Sequence, residues 1–205
     1  PFDELNDIPK QITAQVDWVS QPLRDAAALG DEFTAIQAKY NIDAKTLGGM
    51  AKVAFKDGKV EVSANADISA DAKAEVEALL GKIKAAGEAI GTIPKRATKA
   101  SGAISKLTIK VMGLAPKATA HLKKQLSDAS AELSAEAKGS IELNLTSIPE
   151  MPNKVKAASK DAIAKVKAIP TEAKTTITEL TAAFSGEGAF PKGLSDSSSA
   201  GGETP

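Results

Sequence analysis

The chain has no cysteine, which excludes disulfide bonds, thiolate metal sites and cysteine nucleophiles. The chain has one histidine, His121. A zinc site with two histidines and a serine–histidine–acid triad with a spare ligand are therefore both poorly supported. No glycine-rich loop of the kind that cradles phosphates is present. We therefore expect a protein that is not an enzyme and that uses no metal or cofactor.

Aromatic residues and long apolar runs are also scarce. Aromatic side chains make up 3% of the chain, and no run approaches the roughly 18 apolar residues of a membrane-spanning helix. Apolar residues nevertheless account for 42% of the chain, and alanine is the most frequent of them. Alanine buries little area, at roughly 25 cal/mol per Å² of apolar surface, so long helices packed through small side chains are the expected compensation.

The sequence begins with Pro1 rather than methionine, as a processed chain would. On this ground we expect an exported protein, periplasmic or extracellular, with association to a membrane as one alternative.

Apolar residues recur at steps of three and four through most of the chain, a pattern that predicts amphipathic helices. The stripes predict helices over about 5–30, 31–40, 69–91, 94–114, 116–137, 155–169 and 173–184. Gly81, Gly87, Gly102 and Gly113 fall inside these helices, where each costs about 1 kcal/mol relative to alanine. They indicate either close helix approach or a bend that follows a curved lipid or partner surface.

Between about residues 50 and 67 the apolar period changes from 3.6 to two, with Asp57-Gly58 as a tight turn, which predicts a β-hairpin. A two-stranded hairpin is marginal alone. We expect a third strand at about 140–146, where Ile141, Leu143 and Leu145 alternate with polar residues.

The predicted fold class is α+β and helix-dominant: long amphipathic antiparallel helices with a small three-stranded antiparallel sheet. We expect one helical domain over residues 1–184. Residues 185–205 are rich in glycine and serine, which is typical of a flexible tail.

Proline marks the start of several predicted helices at nearly constant spacing. Pro94 and Pro116 lie 22 residues apart, and Pro149, Pro170 and Pro191 follow at intervals of 21. In spacing, residues 94–137 and 149–191 resemble the proline-punctuated amphipathic repeats of exchangeable apolipoproteins. The resemblance implies lipid binding through apolar helix faces. The alternative is that proline simply begins helices here, as it does in many helical proteins.

Charge is segregated along the chain although 26 basic and 26 acidic side chains cancel. Residues 82–124 contain ten basic side chains and a single acid, Glu88, whereas the flanking segments 1–30 and 125–150 are acidic. Basic and acidic helices could pair with each other, or the lysine faces could meet an acidic lipid surface. Nucleic acid is an unlikely partner, because Arg24 and Arg96 are the only arginines and no aromatic residue is interleaved for stacking.

The leading interpretation is a lipid- or membrane-surface-binding protein that covers an acidic lipid surface or an apolar ligand. The predicted apolar contacts are Ile104, Leu107 and Val111, and the predicted head-group contacts are Lys99, Lys106 and Lys110. The alternative is a structural or assembly subunit that binds protein partners, or further copies of itself, through its helix stripes or an edge strand.

Overall fold

In a computed structural model, helix accounts for most of the residues that the structure describes, which are 2–41, 51–56, 59–64, 70–128 and 133–185. The helices in these segments are α1 (Phe2–Tyr40), α2 (Ala70–Gly91), α3 (Ile93–Asp128), α4 (Ala135–Ser147) and α5 (Met151–Ser185), with a 3₁₀ helix at Ile148–Glu150. The prediction that helix dominates the fold is confirmed.

The prediction of a three-stranded sheet within an α+β fold is wrong. Strand β1 (Ala51–Lys56) pairs in antiparallel fashion with β2 (Lys59–Ala64), but residues 140–146 lie within helix α4 and add no third strand. The Ser134 hydroxyl caps α4 by accepting a hydrogen bond from the Ala137 amide at 3.2 Å. The remaining positions of the predicted hairpin, within 50–67, lie outside the described residues.

Three helices continue through prolines or a glycine, and two of these prolines, Pro116 and Pro170, were predicted to begin new helices. Helix α1 contains Pro9, Pro22 and Gly30, helix α3 contains Pro116, and helix α5 contains Pro170. Each proline removes one backbone hydrogen bond. Apolar residues are buried on both sides of each of these prolines and of Gly30. Tertiary packing therefore keeps the helices continuous.

The chain forms two compact units. The first contains Pro1–Val19 and Ala97–Lys167, and the second contains Ser20–Arg96 and the residues from Ala168 onward. Helices α1, α3 and α5 each contribute residues to both. The single domain expected over residues 1–184 stays a prediction, and the expected tail lies outside the described residues from position 186 onward.

In the first unit, α3 runs antiparallel to both α1 and α5. Glu4 pairs with Lys110 whereas the Phe2 ring lies against His121, so residue numbers rise along α1 as they fall along α3. The core of this unit is aliphatic and contains Leu5, Ile8, Ile12, Val19, Ala97, Ala100, Ile104, Val111, Ala115, Ala118, Leu122, Ile148, Val155, Ala162 and Val166.

In the second unit, α1 and α2 pack antiparallel and are joined by two ion pairs. Lys82 Nζ lies 2.7 Å from Glu32 Oε1, and Lys39 pairs with Glu75 at the other end. Helix α1 ends at Tyr40. The described apolar side chains that are buried in this unit are Leu23, Ala26, Leu29, Phe33, Ile36, Ala72, Val76, Leu79, Leu80, Ile83, Ala86, Ile90, Ile93, Ile169, Ala173, Leu180 and Ala183.

The Lys39–Glu75 pair predicts a measurable pH effect. The hydrogen bond from Lys39 lowers the pKa of the Glu75 carboxyl, and the same bond raises the pKa of Lys39. Because the pKa of Glu75 is lowered on folding, its contribution to stability is present at neutral pH and is lost as the pH falls through the folded-state value. We expect Lys39→Met to move the pKa of Glu75 upward, as measured by NMR titration of the carboxyl carbon.

Lys39→Arg is the matched control, because it keeps a charged donor beside the carboxylate. A Glu75 titration midpoint that is the same in the wild type and in Lys39→Met would contradict the assigned cause.

Candidate functional site

The structure places the three predicted apolar contacts mainly in the core of the first unit. Ile104 and Val111 are both 0% exposed, and Leu107 is half-buried. A residue that is already covered has no apolar area left for a ligand. Leu107 is therefore the one member of this set that keeps part of its surface.

The predicted head-group lysines lie on the side of α3 that faces α1. Lys106 and Lys110 line a depression of about 340 Å³ together with Leu107 and the glutamines of α1, Gln11 and Gln15. Lys110 Nζ lies 3.4 Å from Glu4 Oε1, so one of these charges is paired within the protein. Lys99 is exposed and does not line this depression.

On its other side, α3 carries an uncharged strip. Ser105, Ile109, Met112 and Pro116 follow one another at steps of three and four, so they lie on one helix face. All four are exposed, Ile109 by 68% and Met112 by 56%. Exposed aliphatic residues that recur at helical spacing make a contiguous apolar surface rather than scattered ones.

Helix α5 lies beside this strip. Thr108 Oγ1 and Ser159 Oγ are 2.7 Å apart and share a hydrogen bond, and Ser159 is 3% exposed. The two hydroxyls join α3 to α5 at the base of a groove of about 530 Å³. Ile109 from α3 and Ile163 and Ala164 from α5 supply its apolar lining.

The charges that line this groove all come from α5. Lys156, Lys160 and Lys167 line it, and no carboxylate is among its lining residues. All three lysines are exposed. The arrangement is an apolar strip next to three positive charges, which is the surface that an anionic amphiphile requires.

A second depression, of about 420 Å³, continues along the same face. Helix α3 supplies Pro116, Thr119, Ala120 and Lys123 to it, and Pro149 and Pro152 lie on the opposite wall. Met112 lies between the two depressions in the sequence of α3 and on the same helix face. Together the depressions and Met112 define what we term the α3–α5 groove.

Sequence reasoning placed the apolar surface of α3 on its buried stripe and did not single out Ile109 or Met112. The signal was present, since Ile109, Met112 and Pro116 recur at helical steps without an intervening charge on that face. It was missed because the stronger alanine and aliphatic stripe of the same helix is the one that forms the core.

Among the described residues, helix α4 also leaves apolar side chains uncovered. It contains no buried residue, and Leu143 is 74% exposed. Ile141 lines a depression of about 370 Å³ with His121, Lys124 and other residues of α3. The His121 ring is tilted against the Phe2 ring, with 6.0 Å between centroids, and His121 is exposed.

Among the described residues, no group of three or more histidine or acidic side chains is placed to hold a metal ion. Within the same segments, no helix contains a stretch apolar enough to cross a bilayer. Comparisons of the chain with protein-family models, curated proteins and solved structures gave no match.

Proposed function

We propose that this protein binds anionic lipid at a membrane surface through the α3–α5 groove, without catalysing a reaction. The observation that carries the proposal is the pairing of exposed Ile109 and Met112 with three exposed lysines of α5 in a groove that no carboxylate lines. The apolar strip would contact acyl chains, and the lysines would contact acidic head groups.

The expected affinity is modest. Fully burying an isoleucine or methionine side chain contributes about 1.5–3 kcal/mol, so side chains that still expose a little over half of their surface contribute on the order of 1–2 kcal/mol each. A lysine near an acidic leaflet adds about 1 kcal/mol. The total, on the order of 5–7 kcal/mol, corresponds to reversible binding that responds strongly to salt.

A second candidate function is an assembly subunit, and helix α4 favours it. This helix has Leu143 74% exposed and buries none of its residues, so a protein partner could cover it. An oligomer that forms with rising concentration, in a chain that does not bind vesicles, would support this function over the lipid one.

The test of the lipid proposal is co-flotation with vesicles of phosphatidylserine and phosphatidylcholine at low and high salt. The α5 variant carries Lys156→Gln, Lys160→Gln and Lys167→Gln. Losing three charges at about 1 kcal/mol each should weaken binding roughly 100-fold at low salt. Binding of the wild type should fade as salt rises.

The matched control carries Lys99→Gln, Lys106→Gln and Lys110→Gln on the α1 side of α3. It removes the same charge, so the difference between the variants reports where the lipid sits rather than how basic the protein is. Equal weakening in both variants would contradict binding in the α3–α5 groove, and a wild type that never floats would contradict lipid-surface binding.

A further inference from the structure

The α3–α5 groove extends along helix α3. From Ser105 to Ala120 helix α3 advances about 22 Å, at 1.5 Å per residue. Its two depressions, of about 530 and 420 Å³, each fall within the range of roughly 300–1,000 Å³ typical of small-molecule sites. A site that extends this far along one helix fits a linear ligand better than a compact one.

The two ends of the groove differ in charge. Lys156, Lys160 and Lys167 all line the depression at Ser105, where serine and threonine hydroxyls also lie. The other depression is lined by Pro116, Pro149 and Pro152 and by one lysine, Lys123. Three of the four lysines that line the groove therefore lie in the depression at Ser105, and one lies in the other depression.

We propose that the α3–α5 groove holds one single-chain anionic lipid, with its carboxylate beside Lys160 and Lys167 and its acyl chain extending past Met112 toward Pro149. This inference deepens the proposed function and rests on it, because it assigns the same lysine-bordered surface a monomeric ligand and an orientation. The groove then extracts a single lipid molecule instead of only resting on a lipid surface.

The dimensions agree with this ligand. The hydrocarbon core of a bilayer is about 30 Å thick, so one acyl chain of ordinary length spans roughly 15 Å. The groove is about 22 Å long, which leaves room for a head group at the lysine end. A chain of palmitate length would approach Ala120, whereas a shorter chain such as laurate would end before it.

Substituting Ala120 with tryptophan tests the orientation through chain length. Ala120 is exposed and lines the far depression, so an indole there can occupy the end of the groove without entering the core. In calorimetric titrations with monomeric fatty acids, Ala120→Trp should weaken palmitate binding about tenfold and leave laurate binding unchanged. Ala157→Trp, at an exposed position of α5 outside the groove lining, is the matched control and should bind both as the wild type does.

A pair of charge variants tests which end holds the carboxylate. Lys167→Gln should weaken the binding of both fatty acids about fivefold, and Lys123→Gln should weaken it less. Lys117→Gln, at an exposed lysine of α3 that lines neither depression, should leave it unchanged. The reverse result would overturn the orientation.

The outcomes separate this inference from the function on which it rests. Flotation with acidic vesicles but no binding of monomeric palmitate would overturn the single-chain site and leave the membrane-surface function standing. Equal effects of Ala120→Trp on laurate and palmitate would also overturn it. A chain-length cutoff in a protein that does not float on vesicles would support the single-chain site and contradict the membrane-surface function.

Discussion

Replacing Ile104 with alanine is expected to lower the free energy of unfolding by about 2–4 kcal/mol. Ile104 is 0% exposed in the core of the first unit, and alanine would leave a cavity that neighbouring backbone cannot fully close. The loss is large for this chain because so many of its other core contacts are made by alanine, which contributes little per residue. Urea unfolding followed by circular dichroism measures it.

Ile109→Ala is the matched control, five residues further along the same helix. Ile109 is 68% exposed, so we expect its substitution to change stability by no more than about 0.5 kcal/mol. The order of the two effects should reverse in lipid binding. Folded Ile104→Ala should float on acidic vesicles as the wild type does, and Ile109→Ala should bind less. Reduced flotation of folded Ile104→Ala would favour the original assignment of Ile104 as a lipid contact.

Substituting Gly102 and Gly113 together with alanine is expected to raise the free energy of unfolding by about 2 kcal/mol. Glycine within a helix costs about 1 kcal/mol relative to alanine. A Cβ atom built at either position meets no atom within 4 Å, so the gain is not offset by a clash. The same denaturant titration measures the change.

Ala157→Gly provides the opposite control, because it puts the same glycine penalty into an exposed position of α5 and should destabilise by about 1 kcal/mol. No gain in the Gly102 and Gly113 variant would contradict the prediction that these glycines only lower helix stability. Close helix approach, one of the two explanations offered by the sequence, does not apply at Gly81, Gly102 or Gly113.

Hydrophobic periodicity was the most reliable guide to the fold. The stripe expected in α2, from Val76 to Ile90, is buried along its length, and most of the stripe residues of α3 and α5 are buried as well. The reason is physical: a helix with one apolar face has a single favourable way to cover it. Apolar spacing therefore determined which side of each helix became core.

Local signals at proline misled the prediction of helix ends. Pro116 and Pro170 were read as starts of new helices, yet α3 and α5 pass through both. The sequence shows that proline lacks a backbone donor and so costs the helix a hydrogen bond. It does not show that apolar residues on either side of the proline are buried, and this burial outweighs the cost. The continuous helices α3 and α5 form the groove, so this error also hid its length.

The alternation at 141–145 misled in another way. Ile141, Leu143 and Leu145 have the period of a strand, but in α4 the same spacing distributes them around the helix, and none is buried. The helix that begins at the Ser134 cap continues through this short segment, because the segment buries no residue that would hold it in another conformation. Its exposed Leu143 is the result.

The sequence predicted the kind of candidate site but not its location in the structure. The sequence indicated an apolar strip bordered by lysines, and the predicted apolar residues and lysines all lie in helix α3. In the structure the lysine row of α3, with Lys106 and Lys110, faces α1, while exposed Ile109 lies on the other side, beside lysines of α5. Which helix would supply the neighbouring charges depends on tertiary packing.

The division into two units gives each of them its own intrinsic optical reporter. The one tryptophan, Trp18, belongs to the first unit, and the one tyrosine, Tyr40, belongs to the second, with Lys39 Nζ 5.1 Å from its ring centroid. Indole fluorescence excited at wavelengths that phenol does not absorb therefore follows the melting of the first unit, and the tyrosine contribution obtained by difference follows the second, without any label. Coincident transitions would mean that the three shared helices couple both halves into one cooperative structure.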